Sequence, residues 1–368
     1  MINRLKRMLL IKSSTGGLQI DSLDGLRGVA VLFVLLSHLS NAKLHVVPCL
    51  SFSGIGKYGV YLFFILSSFL LTLQLLEKDN GLLTMRIWKR YVLRRLLRIF
   101  PLYVFVLGVS FTFSKTGFVI PVSRYELLRH VALLDGKSVF WSIPVEFKYY
   151  FILPFVVLSI VFLLKRRAIG VMVAAIIFIV VSSIIFWPAD ESTENTVSLG
   201  PYLPIFIIGS CSAFFHLKIR EWKSFGTMGV RLVFKIAACI VMVFIVALIP
   251  SVWGLINRTI VPPTYFSKQF VLFGVLWSLF IVSYLNGAGF VERVLSINLL
   301  RVCGVVSFSV YLWHIPVISF VVKYIQGAVA MKAVIVLFMT LLLSIVSYLV
   351  IERPFLKQTF TKQRNQFA

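Results

Sequence analysis

The chain has 368 residues, of which 59% are hydrophobic and 14% are charged, and its mean hydropathy is +0.96. Soluble globular domains are nearer to half apolar and about a quarter charged, so this composition excludes an ordinary soluble protein. The formal net charge of +24 would indicate nucleic-acid binding in a soluble chain, but the positions of the basic residues explain it differently.

Ten apolar segments follow one another along the chain, each close to the roughly 20 residues that a membrane-spanning helix needs. They cover residues 25–41, 58–77, 99–114, 141–164, 168–187, 200–217, 232–250, 268–286, 302–322 and 331–351. Segment 99–114 is the weakest, and the mixed segment 120–140 is expected at the membrane surface or as a re-entrant loop. The sequence therefore predicts an all-α membrane protein with a bundle of about ten transmembrane helices.

The basic residues predict the orientation of this bundle. With the N-terminus in the cytoplasm, 24 Lys and Arg residues fall on the cytoplasmic side and 8 on the outer side. This asymmetry follows the positive-inside rule and predicts that both termini are cytoplasmic. We expect one transmembrane domain at 23–352 with cytoplasmic tails at 1–22 and 353–368. The charge is therefore mainly a topology signal, and nucleic acid is not an expected partner.

Cysteine and histidine spacing gives no indication of a metal site, and no metal is expected. The four cysteines are not arranged in a CxxC pair or in a Cys/His spacing typical of metal binding. We expect all four to be unpaired and without a functional role: Cys49, Cys211, Cys239 and Cys303.

The first apolar segment carries ionisable residues that need a reason to be in a membrane. Arg27 and His38 are 11 residues apart, which is about three helical turns and about 16 Å along the axis. Both therefore lie on one face, with Asp24 near the same face. The alternative is that Asp24 and Arg27 anchor the helix at the interface while His38 bonds a neighbouring helix.

A second cluster, at Arg94, Arg95 and Arg98, precedes Pro101 on the predicted cytoplasmic side. Arg95 and Arg98 are neighbours on one helical face because they are three residues apart. Guanidinium groups suit the phosphates of an anionic ligand such as coenzyme A. Anchoring at lipid head groups is the alternative, and spacing alone favours it.

A third group is the segment that contains Trp141, Ser142 and Glu146. The predicted topology places Glu146 just inside the outer face, in the half of the membrane that also contains His38. Its carboxylate could orient the imidazole, accept a proton or bind a sugar hydroxyl. Alternatively, Glu146 is an interfacial carboxylate beside aromatic residues, or pairs with Lys148.

A fourth group, Ser307, Tyr311 and His314, shares one face of a predicted helix, and His314 should lie at a depth similar to that of His38. The alternative is a polar packing stripe between helices. The remaining histidines are expected in a loop or near the membrane faces, where solvent satisfies them: His45, His130 and His216.

These segments together resemble the acyltransferase-3 family of bacterial membrane proteins, and the likeness extends along almost the whole chain. The matching elements are Leu23–Gly28 with His38, Gly59–Ser67, Arg94, Arg95, Arg98 and Pro101, Trp141, Ser142 and Glu146, Ser307, Tyr311, Leu312 and His314, and Glu352–Pro354. The Arg-x10-His element is the most specific of them. Ser68 and Pro144 depart from the usual pattern, but neither removes a titratable group.

The resemblance implies a membrane O-acyltransferase, and most simply an O-acetyltransferase, of the bacterial cytoplasmic (inner) membrane. It implies that His38 is needed for transfer, with Arg27 and Glu146 as further catalytic positions. Arg95 and Arg98, with Arg94 beside them, would bind acetyl-CoA or another acyl-CoA as donor. Supporting or substrate-contacting roles fall to Asp24, Trp141, Ser142, Ser307, Tyr311 and His314. The acceptor would be a surface or lipid-linked glycan, so the expected process is polysaccharide modification.

Two other classes of protein also explain a polar interior in a membrane bundle. A transporter or flippase of a glycan or lipid would need no thioester site and would tolerate loss of Arg95 and Arg98. A membrane scaffold or sensor would tolerate loss of His38.

Overall fold

The computed structural model of the chain describes residues 21–47, 50–77, 82–186, 195–222, 226–287 and 289–356. Most of the predicted N-terminal tail (1–22) and most of the predicted C-terminal tail (353–368) lie outside these residues. The described part is helical and contains no β-strand. Its α-helices are α1 Asp21–Asn41, α2 Ile55–Leu76, α3 Met85–Thr112, α4 Arg124–Val131, α5 Ser142–Leu158, α6 Ala168–Phe186, α7 Leu203–Arg220, α8 Met228–Ala247, α9 Pro250–Asn257, α10 Phe270–Gly287, α11 Phe290–Leu295, α12 Asn298–Val305, α13 Ser307–Tyr324 and α14 Val329–Ser347.

The described residues contain eight helices that are long and apolar enough to cross a membrane, or nine if α12 and α13 form one span bent by 79°. The protein is thus a multi-pass, all-α membrane protein, as the sequence predicts. Nine of the ten predicted segments coincide with these spans. The tenth, 99–114, overlaps α3, a 28-residue helix that is not among these spans and whose first half is rich in arginine and lysine.

Two helical spans contain irregular turns. A π-helical turn over Ser159–Leu163 follows α5, and a second over Tyr348–Glu352 follows α14. Such turns insert a residue into the helical repeat and are frequent at functional sites. The second turn places the carboxyl group of Glu352 in the protein interior, where the residue is 3% exposed.

The described chain divides into two compact units. The first contains the described residues within 1–37, 51–79 and 145–305. Within it, α2 packs against α7 and α10, α10 packs against α8, and α6 packs against α7. Its core is aromatic: Tyr58 stacks on Phe273 with ring centroids 4.0 Å apart, and Tyr149 stacks on Phe206 at 4.2 Å.

The second unit contains the described residues within 38–50, 80–144 and 306–368. Within it, α13 packs against α14, and α3 packs against α4, α13 and the π-helical turn over Tyr348–Glu352. Helix α4 begins with a capping box, in which Ser123 and Glu126 each accept a hydrogen bond from the other's backbone N–H. Part of the mixed segment 120–140 is thus a short capped helix.

Three glycines allow α1 to approach the backbone of α11 and α12 within the first unit. A Cβ atom at Gly25 would lie 1.6 Å from the carbonyl oxygen of Leu295, and one at Gly28 would lie 2.2 Å from that of Leu300. A Cβ atom at Gly304 would lie 1.7 Å from the carbonyl oxygen of Asp24. Close helix packing through small residues is a main source of stability where lipid supplies no hydrophobic driving force.

We therefore expect Gly304→Ala to destabilise the protein by about 1–3 kcal/mol, because the new methyl group must displace a helix backbone. Gly229→Ala is the matched control, since no atom lies within 4 Å of its added Cβ. Thermal unfolding of both variants in detergent measures the difference. Equal melting temperatures for Gly304→Ala and the wild type would contradict the packing described here.

Candidate functional site

Two histidines predicted to lie at similar depth, His38 and His314, meet in the second unit. Their ring centroids are 4.9 Å apart and the rings are edge to face, at 79°. His38 lies in the last turn of α1, and His314 lies in the second turn of α13. The sequence placed the two imidazoles at one depth, and the structure brings them into contact.

The hydrogen bonding of His314 defines which of its nitrogens carries a proton. Its Nδ1 donates to the carbonyl oxygen of Val310 at 3.2 Å. His314 is 0% exposed, and its Nε2 has no hydrogen-bond partner within the described part of the chain. In the neutral imidazole, one nitrogen donates and the other accepts. Nε2 is therefore the atom with the free lone pair, in a dry environment beside His38.

A chain of hydroxyl groups supports the helix that carries His314. The Ser142 hydroxyl donates to the Tyr311 hydroxyl at 2.8 Å, and Tyr311 donates in turn to the carbonyl oxygen of Val139 at 2.6 Å. The rings of Tyr311 and His314 are 5.9 Å apart. Trp141 and Ser307 lie in the same unit and are likewise buried. This predicted group therefore supports the histidine pair.

Glu146 lies on α5 in the first unit, where two hydroxyl groups hold its carboxylate. Ser67 donates a short hydrogen bond to Oε1, and Tyr150 donates to the same oxygen at 2.5 Å. Lys148, the alternative partner considered from the sequence, instead donates to the carbonyl oxygen of Val197 at 2.7 Å. Tyr150 was not among the predicted site residues, although its spacing of four residues places it on the same helical face as Glu146.

Asp24 and Arg27 form an ion pair on the first turns of α1, with an N–O distance of 3.3 Å. A second ion pair in the same unit joins Asp21 to Arg301 on α12 at 2.7 Å. Both pairs are partly exposed. They fix the predicted cytoplasmic end of α1, where the sequence analysis placed an acid and a base.

Arg94, Arg95 and Arg98 lie on α3 in the second unit, and all three are partly buried. Arg98 interacts electrostatically with the carboxyl group of Glu352. This carboxyl group also accepts a short hydrogen bond from Ser309. Spacing within α3 could not reveal Glu352, because it comes from the other end of the chain.

Both departures from the family pattern are accommodated by local structure. Ser68 is buried in α2, where its hydroxyl donates to the carbonyl oxygens of Phe64 and Ile65 at 3.0 Å. It faces Gly209 of α7, where an added Cβ would lie 2.1 Å from the serine oxygen. Pro144 lies in the first turn of α5, where a helix has no need of the missing N–H.

The expectation that solvent satisfies His130 and His216 is wrong. His130 is 0% exposed: its Nδ1 donates to the carbonyl oxygen of Glu126 at 2.7 Å, and its Nε2 accepts from the Lys137 N–H at 2.9 Å. His216 is 3% exposed, and its Nδ1 lies 3.1 Å from Asn286 Nδ2. Loop turns and a neighbouring helix bury these rings. The position of a histidine along its segment does not reveal such burial. His45 is exposed, as expected.

Hydrogen bonds lower the pKa of Glu126, which lies outside the membrane-spanning segments, to about 2. The backbone N–H of Ser123 has the largest effect, followed by the Ser123 hydroxyl and Lys137.

Cys211, Cys239 and Cys303 are free, in agreement with the part of the cysteine prediction that concerns pairing. Cys49 lies outside the described residues.

Comparison with known proteins identifies the family. The model of the acyltransferase-3 family, which describes an acyltransferase domain, matches residues 20–349. The chain therefore belongs to the acyltransferase-3 family, and its membrane bundle is an acyltransferase domain. No solved structure matches the chain.

Several staphylococcal proteins are similar to this chain. One, from Staphylococcus aureus strain COL and named "Putative O-acetyltransferase", is 25% identical over 92% of this chain and 58% of its own length. The O-acetyltransferase OatA of strain MRSA252 is 25% identical over 95% of this chain and 60% of its own length. The chain thus spans about three fifths of these relatives.

The hydrogen bonds of the Tyr311 hydroxyl predict that removal of this one group lowers the stability of the protein. Tyr311→Phe leaves the Ser142 hydroxyl and the Val139 carbonyl group without their buried partner, which costs about 1–3 kcal/mol. Tyr324→Phe on the same helix is the control, because its hydroxyl is exposed and makes only a 3.5 Å contact. Thermal unfolding in detergent should give a lower melting temperature for Tyr311→Phe than for Tyr324→Phe. Equal melting temperatures would contradict the role of the hydroxyl chain.

Proposed function

We propose that this protein is a membrane-embedded O-acetyltransferase that moves the acetyl group of cytoplasmic acetyl-CoA to a hydroxyl of a cell-surface or lipid-linked glycan. Membership of the acyltransferase family supports group transfer. The names of the similar staphylococcal proteins support oxygen as the acceptor atom and acetyl as the group.

The observation that carries the chemistry is the contact between the imidazoles of His38 and His314. An imidazole is a suitable general base because its ordinary pKa lies near neutrality. His314 is buried with its Nδ1 proton committed to Val310, so it can orient His38 or share a proton with it through Nε2. The pair thus provides a base deep in a span where ionisable groups are costly.

Transfer from a thioester to a hydroxyl requires one proton to move. His38 takes the proton of the acceptor hydroxyl as its oxygen attacks the acyl carbon. The carbon–sulfur bond then breaks, the coenzyme A thiolate leaves, and the same proton returns to the sulfur. The products are an O-acyl ester and free coenzyme A. General-base catalysis of this kind contributes about 10²–10⁴-fold to a rate.

We assign donor binding to Arg95 and Arg98, with Arg94 as a further positive charge near the predicted cytoplasmic face. Guanidinium groups bind phosphate oxygens through paired hydrogen bonds, and the partly buried positions on α3 limit competition from water. Asp24 holds Arg27 by an ion pair of 3.3 Å. Glu146 is assigned to the acceptor.

The proposed site of action is the bacterial cytoplasmic membrane, with both termini in the cytoplasm. The distribution of Lys and Arg supports this orientation. It places the arginine cluster on the side where acyl-CoA is available.

We expect His38→Ala to lower acetyl transfer about 10²–10⁴-fold, because the base is lost. The measurement follows label from acetyl-CoA into the lipid-linked and polysaccharide fractions of membranes that contain each variant. His45→Ala, an exposed histidine in the loop after the same helix, should keep wild-type activity. Full activity of a folded His38→Ala protein would rule out this mechanism.

We expect Arg95→Gln and Arg98→Gln each to raise the KM for acetyl-CoA about tenfold or more, since each removes a hydrogen-bonded charge worth about 1.5–3 kcal/mol. Arg86→Gln, an exposed position on the same helix, is the control and should leave KM unchanged. Initial rates of coenzyme A release over a range of acetyl-CoA concentrations give these values. Unchanged KM in both variants would contradict donor binding by these arginines.

A further inference from the structure

The carboxylate of Glu146 is held by one oxygen only. Both hydrogen bonds, from the hydroxyls of Ser67 and Tyr150, end on Oε1. No hydrogen bond within the described residues involves Oε2, and that atom is not among the buried polar atoms without a partner. Glu146 itself is partly exposed. Oε2 is therefore accessible, on a side chain whose rotation is restricted by two bonds.

No cation neutralises this carboxylate within the part of the chain that the structure describes. The ion pairs there do not include Glu146, and the ammonium group of Lys148, two residues away, is bound to the carbonyl oxygen of Val197. An ionised carboxylate accepts hydrogen bonds and cannot donate them. It also repels phosphate. Its open oxygen is thus suited to a neutral ligand that carries hydroxyl groups and is unsuited to coenzyme A.

We propose that Oε2 of Glu146 binds a hydroxyl group of the glycan acceptor, and that Ser67 and Tyr150 are positioning residues that aim it. This inference rests on the proposed function. In this proposal, each substrate is bound by a different charged group. The arginines on α3 bind the anionic donor, and the carboxylate on α5, which has no ion-pair partner among the described residues, binds the neutral acceptor.

The neighbouring residues supply matched controls. Ser68 and Tyr149 lie beside Ser67 and Tyr150 on the same helices and are fully buried. The Ser68 hydroxyl bonds to carbonyl oxygens of its own helix, and the Tyr149 hydroxyl lies 2.6 Å from that of Ser210. Removal of either hydroxyl costs a buried hydrogen bond without touching Glu146.

The test measures transfer of label from acetyl-CoA to the glycan fractions of membranes that contain Ser67→Ala, Tyr150→Phe, Ser68→Ala or Tyr149→Phe. We expect the first two variants to lower the maximal rate about tenfold each, because each loses a hydrogen bond to a charged group. Their KM for acetyl-CoA should stay at the wild-type value. The two control variants should stay within about twofold of the wild-type rate.

The same substitutions are then made in a Glu146→Ala background, which removes both carboxylate oxygens. If Ser67 and Tyr150 act through the carboxylate, their loss has no further effect there. The inference is overturned if the losses multiply with that of Glu146→Ala, if Ser68→Ala and Tyr149→Phe lose as much, or if the KM for acetyl-CoA rises instead. Wild-type membranes that incorporate no label would overturn the proposed function itself, and this inference with it.

Discussion

The structure depends on one constraint: a polar group in the hydrocarbon region of a membrane must find its partner inside the protein. His314 meets it at one nitrogen, since its Nδ1 donates to the carbonyl oxygen of Val310 while its ring contacts that of His38, with centroids 4.9 Å apart. Tyr311 meets the constraint through Ser142 and Val139, and Glu146 meets it through hydroxyl groups. Each polar group is costly alone, so their concentration in a few clusters indicates function.

Much of the fold follows from the sequence because a membrane-spanning helix needs a long apolar segment. Nine of the ten predicted segments coincide with spans, since their length and composition leave few alternatives. Helix α3 could not be delimited in this way, because basic residues in its first half mask its continuity. The 79° bend between α12 and α13 was also not predictable, since it depends on packing within the bundle.

The candidate site was predictable where a helix carries its own pattern and unpredictable where two distant segments meet. Spacing places Ser307, Tyr311 and His314 on one face of α13, and all three are buried. The hydrogen bond from Ser309 to Glu352 joins residues 43 positions apart, and no periodicity can reveal it. His130 and His216 were misjudged for the same reason, because loop turns and neighbouring helices supply the groups that bury them.

The central claim is that acetyl groups enter from the cytoplasmic face and that His38 is required for their transfer. Sealed membrane vesicles test it directly, because acetyl-CoA does not cross a bilayer. We expect label in glycan when labelled acetyl-CoA is added to inverted vesicles, which expose the cytoplasmic face. We expect none with right-side-out vesicles or with His38→Ala. Equal labelling in both orientations, or undiminished labelling with His38→Ala, would contradict this mechanism.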